Sequence, residues 1–209
     1  MAILRYGVFA AFFVSLVLLA IQVLRTLSFG RRRLHSDARG SRLSGVAYAL
    51  GRGMMPWEKE SAARHLPTYV GGMIYHAGIF AAILSVLLRA AAIHLPGAAT
   101  AALRILLAAG FLAGTALLLK RVVYPKMRSI SCPDDFISNL LADGLVLLGL
   151  ISSWRSGAEP VFFALAIFTF LYIPLGKIRH CFFFFYSRVL FGAYFGRRGV
   201  LPRRRPAKA

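Results

Sequence analysis

An all-α integral membrane protein, built as a bundle of five transmembrane helices, is the fold class this sequence predicts, and three observations predict it. The 209 residues are 58% hydrophobic with a mean hydropathy of +0.67. Only 16% are charged, against roughly 25% in a soluble domain. That balance excludes an ordinary soluble globule and a disordered chain. The apolar residues gather into five stretches, and the cations gather between alternate ones. Leucine, alanine and phenylalanine dominate the stretches without strict alternation, so helices are expected rather than a barrel.

The first stretch runs from Tyr6 to about Leu24 and the second from Tyr69 to Ile93. The third runs from about Pro96 to Leu119, after a turn at His94-Leu95-Pro96-Gly97. The fourth spans Phe136 to Trp154 and the fifth Pro160 to about Ile178. Each is close to the roughly 20 residues that cross a hydrocarbon core of about 30 Å. A lone Arg5 precedes the first stretch, no Ala-x-Ala-like site follows it, and Arg25 and Arg31-Arg32-Arg33 come next. It therefore reads as an uncleaved anchor and not as a signal peptide. Asp134 and Asp135 after Pro133 suit the N-terminal end of the fourth helix, where the helix dipole favours anions. The run Phe182–Phe185 is too short to span and is expected to begin an amphipathic segment along the inner surface.

Charge sets the orientation. With the N-terminus outside, the loop after the first stretch carries nine cations from Arg25 to Arg64. The loop after the third carries four, from Lys120 to Arg128, and the chain after the fifth carries nine, from Lys177 to Lys208. That puts 22 cations inside and leaves only Arg5, Arg89, Arg104 and Arg155 near the outer side. The positive-inside rule then predicts a periplasmic N-terminus and a cytoplasmic C-terminus. The same pattern accounts for the net charge of +19 without any nucleic acid. A basic inner face suits anionic lipid head groups and an acidic soluble partner.

Polar residues inside the spans are expensive and mark candidate sites. Asp143 lies about two turns into the fourth stretch with Asn139 one turn before it, either as a proton relay or as a structural hydrogen-bonding group. Arg89 and Arg104 can snorkel to the outer side, and Trp57 and Trp154 suit interfacial anchors. Cys132 and Cys181 lack the spacing of a zinc or iron–sulfur site and read as small filler. His35 falls in the basic loop. His180 lies 20 residues after Pro160, about 30 Å along a continuous helix. Counting back from His94, His76 is 18 residues away and His65 is 29, or about 27 Å and about 44 Å. Only His76 shares the depth of His180, and Gly71, Gly72, Ala77 and Gly78 around it would leave room for a ring. Two readings are open: a bis-histidine haem held between two helices, or a His76 that merely hydrogen-bonds within the bundle and an interfacial His180.

The segments Pro56-Trp57-Glu58-Lys59-Glu60-Ser61, Arg64-His65 and Tyr75-His76-Ala77-Gly78-Ile79 resemble the second-helix region of nitrate reductase gamma subunit-like cytochromes b. The run Phe170-Leu171-Tyr172-Ile173-Pro174-Leu175-Gly176-Lys177-Ile178-Arg179-His180, with Gly196-Arg197-Arg198-Gly199 after it, resembles the end of their fifth helix. Within that superfamily the chain is more similar to membrane subunits paired with heterodisulfide-reductase-like iron–sulfur proteins. The resemblance implies one haem b with His76 and His180 as axial ligands of the iron, because Val86 and about Phe162 stand where the second haem's ligands would be. It implies a five-helix cytochrome b domain over residues 1–195 and a basic cytoplasmic tail over 196–209. By their position beside His180, Lys177 and Arg179 are at the depth to pair with haem propionates that point inward, or else are ordinary basic interfacial residues. The expected role is electron transfer between quinone and a cytoplasmic iron–sulfur subunit, in the inner membrane of a bacterium or archaeon, as part of an oxidoreductase complex and not as a complete enzyme. The alternative is a haem-free anchor that tethers a soluble enzyme through its basic cytoplasmic face.

Overall fold

The computed structural model describes residues 1–29 and 37–202, with backbone alone at residues 60 and 61. Arg31, Arg32, Arg33, His35, Arg203, Arg204, Arg205 and Lys208 lie outside the described residues. Among the described residues all regular structure is helical. Four helices are long and apolar enough to cross a membrane: α1 (Ala2–Ser28), α4 (Leu66–Ala90), α5 (Gly97–Val123) and α7 (Pro133–Ser152). The shorter α2 (Arg42–Leu50), α3 (Glu60–Arg64), α6 (Pro125–Ser129), α8 (Glu159–Tyr172) and α9 (His180–Arg197) complete the order. Between 22% and 39% of each apolar window is buried within the protein. Ile105, Leu112 and Phe13 are each about two-thirds exposed. Apolar surface on that scale needs lipid rather than water around it, so this is the architecture of a multi-pass membrane protein.

The fifth expected span is different. Residues Pro160 to Ile178 do not form one helix; α8 ends at Tyr172 and α9 begins at His180. Pro174 has no N–H to continue the helix, and its ring crowds the carbonyl one turn back. Leu175 and Gly176 instead donate to the Tyr172 carbonyl at 3.0 and 2.9 Å, closing a turn. The 14 residues of α8 rise only about 21 Å, short of a hydrocarbon core. A fifth crossing exists only if Ser156–Tyr172 and Lys177–Arg197 count together as one broken span.

The chain divides into two compact units, residues 1–21 with 67–179 and residues 22–66 with 180–209. In the first, α7 packs against both α5 and α8. The core is built from Leu107, Leu145, Val146, Phe162, Phe163 and Phe170, all buried. Helix α1 joins it through Gly7, which faces Ile167, and Phe12, whose ring meets Phe170 edge-on at 5.2 Å. Helices α4 and α5 touch where Gly78 faces Gly110. Arg104 and Arg89, expected to snorkel, are both partnered: Arg104 donates to the Ser153 hydroxyl (3.1 Å) and carbonyl and lies over the Trp154 ring. Arg89 pairs with Glu159 at 2.7 Å.

The N-terminus of α7 does more than balance a dipole. Cys132 and Asp135 form a capping box, the Cys132 N–H donating to Asp135 at 2.9 Å. Asp135 also holds the Lys177 ammonium at 2.7 Å. Asp134 accepts from the Tyr172 hydroxyl and, at 3.0 Å, from the Lys177 N–H. Two adjacent carboxylates thus tie the start of α7 to the turn that follows α8. Asp135→Ala removes a helix cap and a half-exposed ion pair, so it should cost about 1–2 kcal/mol. Asp135→Asn keeps the capping oxygen and should cost less than half as much. Denaturation of the full chain in detergent checks both values.

Candidate functional site

Three groups of side chains were candidates for function, and the structure treats them differently. His76 lies in α4, about three turns from its start and half-way between Gly72 and Phe80. Its ring is exposed, and Nδ1 lies 2.6 Å from the Gly72 carbonyl one turn back. Gly71 and Gly72 face open space, and Gly78 is filled by Gly110. The small residues expected to make room for a porphyrin are thus either unpacked or committed to contact between helices. His180 is the first residue of α9 and is exposed. The break at Pro174 removes the continuous helix on which its depth of about 30 Å was counted. His76 belongs to the first unit and His180 to the second.

The expectation of one haem b is therefore corrected. Among the described residues no group of three or more His, Cys, Asp or Glu side chains could hold a metal ion. Lys177, expected beside a propionate, is instead the ion-pair partner of Asp135. His65 is exposed between α3 and α4, and His94 is exposed in the loop before α5. Cys132 is exposed at the N-cap of α7, so it is not packing filler; Cys181 is half-buried.

The polar residues of the fourth stretch do come together. Asn139 Nδ2 donates to Asp143 at 3.0 Å and to the Tyr75 hydroxyl at 3.1 Å. Tyr75 Oη lies 3.3 Å from the Asn139 carbonyl, to which it donates. Asp143 and Tyr75 are both buried, and the second Asp143 oxygen finds no hydrogen-bond partner among the described residues. Gly114 of α5 lies against Asp143 and Tyr75, so three helices close around one carboxyl. Asn139 and Asp143 were legible as an i, i+4 pair; Tyr75 was not, because its partners are 64 residues away.

The second unit is a basic helix pair. Helix α2 runs antiparallel to α9 at very close range: a Cβ on Gly45 would sit 2.5 Å from the Gly196 Cα, and one on Gly192 would sit 2.6 Å from the Val46 Cα. Small residues at spacing four, here Ser41, Gly45 and Ala49 against Gly192 and Gly196, let backbones approach in this way. The Arg39 and Gly40 N–H groups donate to the Arg197 carbonyl at 2.8 and 3.0 Å. Gly199, at φ +72°, turns the chain after α9 in a conformation that favours glycine. The Arg188 guanidinium donates to the Ala49 carbonyl (3.0 and 2.6 Å) and the Gly53 carbonyl (3.2 Å). It thereby satisfies acceptors left over at the C-terminus of α2, where a cation is also favoured by the dipole. Glu58 accepts from Tyr48 at 2.9 Å and from Arg52 at 2.8 Å. Burial, and after it the charge of Arg188, hold the Lys59 ammonium below its ordinary pKa. Arg39, Arg42, Arg64 and Arg198 are exposed on this unit.

Charge is strongly concentrated there. Residues 22–66 and 180–209 carry 16 of the 26 Lys and Arg residues but only Asp37, Glu58 and Glu60 of the seven acids. No family model, characterised protein or solved structure matches the chain.

Proposed function

We propose that this protein is a haem-free, multi-pass membrane anchor with its N-terminus outside and its C-terminus in the cytoplasm, which tethers an acidic soluble protein through its basic face. The carrying observation is the charge distribution: the segments 22–66 and 180–209 hold most of the cations and few acids. The positive-inside rule supports the cytoplasmic side for these segments. Anionic lipid there adds about 1 kcal/mol per cation near the surface, and a basic patch steers an acidic partner to the membrane. The sequence resemblance favours an iron–sulfur protein as that partner, within a respiratory complex. The anchoring role asks nothing of His76 or His180.

A reporter fused after Ala209 should read cytoplasmic, and one inserted between Ser156 and Gly157 should read periplasmic. The full chain purified from its own membranes at low salt should retain an acidic soluble protein, release it at high salt because exposed charges are screened, and show no reducible b-type absorption. Replacing Arg39, Arg42, Arg64 and Arg198 together by glutamine should reduce retention at least tenfold. Reversed reporters, a b-type spectrum, or retention indifferent to both salt and these four substitutions would overturn the anchor reading.

A further inference from the structure

One cavity in the first unit has no part in anchoring. It measures about 340 Å³ and gathers four helix ends: the first turn of α1, the last turns of α4, the first turn of α5 and the start of α8. Its polar lining includes Arg5, Ser85, Arg89, His94, Thr100 and Glu159. Leu88 and Leu103 make part of its apolar wall. Its size lies within the range of ordinary small-ligand sites.

The polar groups are not balanced among themselves. Arg89 and Glu159 neutralise each other at 2.7 Å, and the Thr100 hydroxyl lies 3.3 Å from the Leu95 carbonyl, to which it donates. Ser85, on the same face as Arg89 one turn earlier, is only 2% exposed. Its hydroxyl has no hydrogen-bond partner among the described residues, and neither has the buried Nε of Arg5. An unpaired hydroxyl and the unpaired N–H of a guanidinium, held away from water, are costly unless something accepts from them. With Arg89 and Glu159 cancelled, the charge left facing the cavity is that of Arg5. The missing partner is therefore an acceptor with negative charge, and a guanidinium fork matches the oxygens of a phosphate. Such groups abound where helix ends meet the head groups of a bilayer, and the leucine wall would accept the first carbons of a lipid.

We propose that this cavity binds a phosphate group, free or carried as the head group of an anionic phospholipid, through the Arg5 guanidinium and the Ser85 hydroxyl. The test uses the full chain in a neutral detergent, titrated with two probes. One is inorganic phosphate against chloride at matched ionic strength; the other is short-chain phosphatidylglycerol against short-chain phosphatidylcholine. Thermal stabilisation is the readout. At least one phosphate-bearing probe should stabilise the protein saturably, and its half-saturating concentration should rise at least tenfold in Arg5→Ala and severalfold in Ser85→Ala. Arg155→Ala, which removes an exposed cation that does not line the cavity, should leave it unchanged. A response to phosphate alone marks the free anion as the ligand; a response confined to phosphatidylglycerol marks the lipid. Should Arg5→Ala fail to fold, Ser85→Ala and Arg5→Gln carry the comparison. Absence of a saturable response to either probe would overturn the proposal, as would equal responses in wild type, Arg5→Ala and Ser85→Ala. A loss in Arg155→Ala as large as that in Arg5→Ala would also overturn it, since it would mean diffuse charge attraction.

Discussion

Gly45→Leu is expected to part α2 from α9 and to open the second unit. Even the first carbon of the new side chain would sit 2.5 Å from the Gly196 Cα. The atoms it meets are backbone on the facing helix, so no flexible side chain can swing aside. Removing a glycine from a helix interior gains at most about 1 kcal/mol in propensity. Overpacking against backbone costs about 3 kcal/mol or more, and the cost wins. Trypsin cleavage after Arg42, at the start of α2, should then accelerate by about two orders of magnitude if it follows the population of the opened pair. Gly196→Ala, on the other side of the same contact, should act in the same direction, because its Cβ would meet the Gly45 Cα at 2.7 Å. Unchanged cleavage in both variants would mean that α2 and α9 are not held by this contact.

Gly78→Leu should be comparably damaging to the first unit, where a Cβ would lie 2.6 Å from the Gly110 Cα. A loss of about 3 kcal/mol is expected, read as a lowered unfolding midpoint of the full chain in detergent. The informative comparison is Gly72→Ala, six residues earlier on the same helix. Nothing lies within 4 Å of a Cβ there, so the substitution should be neutral or stabilise by up to about 1 kcal/mol. Equal destabilisation by both would show that α4 tolerates no side chain at either glycine for reasons other than its contact with α5.

Much of the fold was legible because its signals are local. The α4 helix occupies Leu66–Ala90 where Tyr69–Ile93 was expected, and α5 Gly97–Val123 where Pro96–Leu119 was expected. These shifts are of a few residues, the usual uncertainty of helix ends. Asp134 and Asp135 were expected at a helix N-terminus and are there. The break in the fifth stretch was also written in the chain, as Pro174 followed by Gly176, but uniform hydropathy across it masked the signal. Helix α2 was missed although Leu43, Val46, Ala47 and Leu50 recur at helical spacing, because its nine residues are short and lie in a segment read for its charge. Gly192 and Gly196 did carry a readable spacing of four, hidden in a segment whose charge drew attention instead.

What the sequence by itself determined was that the chain belongs in a membrane, roughly where its spans lie, and how unevenly its cations fall between them. Those properties are sums over neighbouring residues, since transfer to lipid and the positive-inside bias are counted stretch by stretch. Only the tertiary structure decided that Gly78 meets Gly110, that Tyr75 closes on Asn139 and Asp143, and that Arg5 and Ser85 face one cavity. It likewise decided that the fifth stretch breaks before His180, where a count of 1.5 Å per residue had assumed a straight helix. Such pairings join residues tens of positions apart, through backbone directions that depend on every turn between them, and no local composition encodes that.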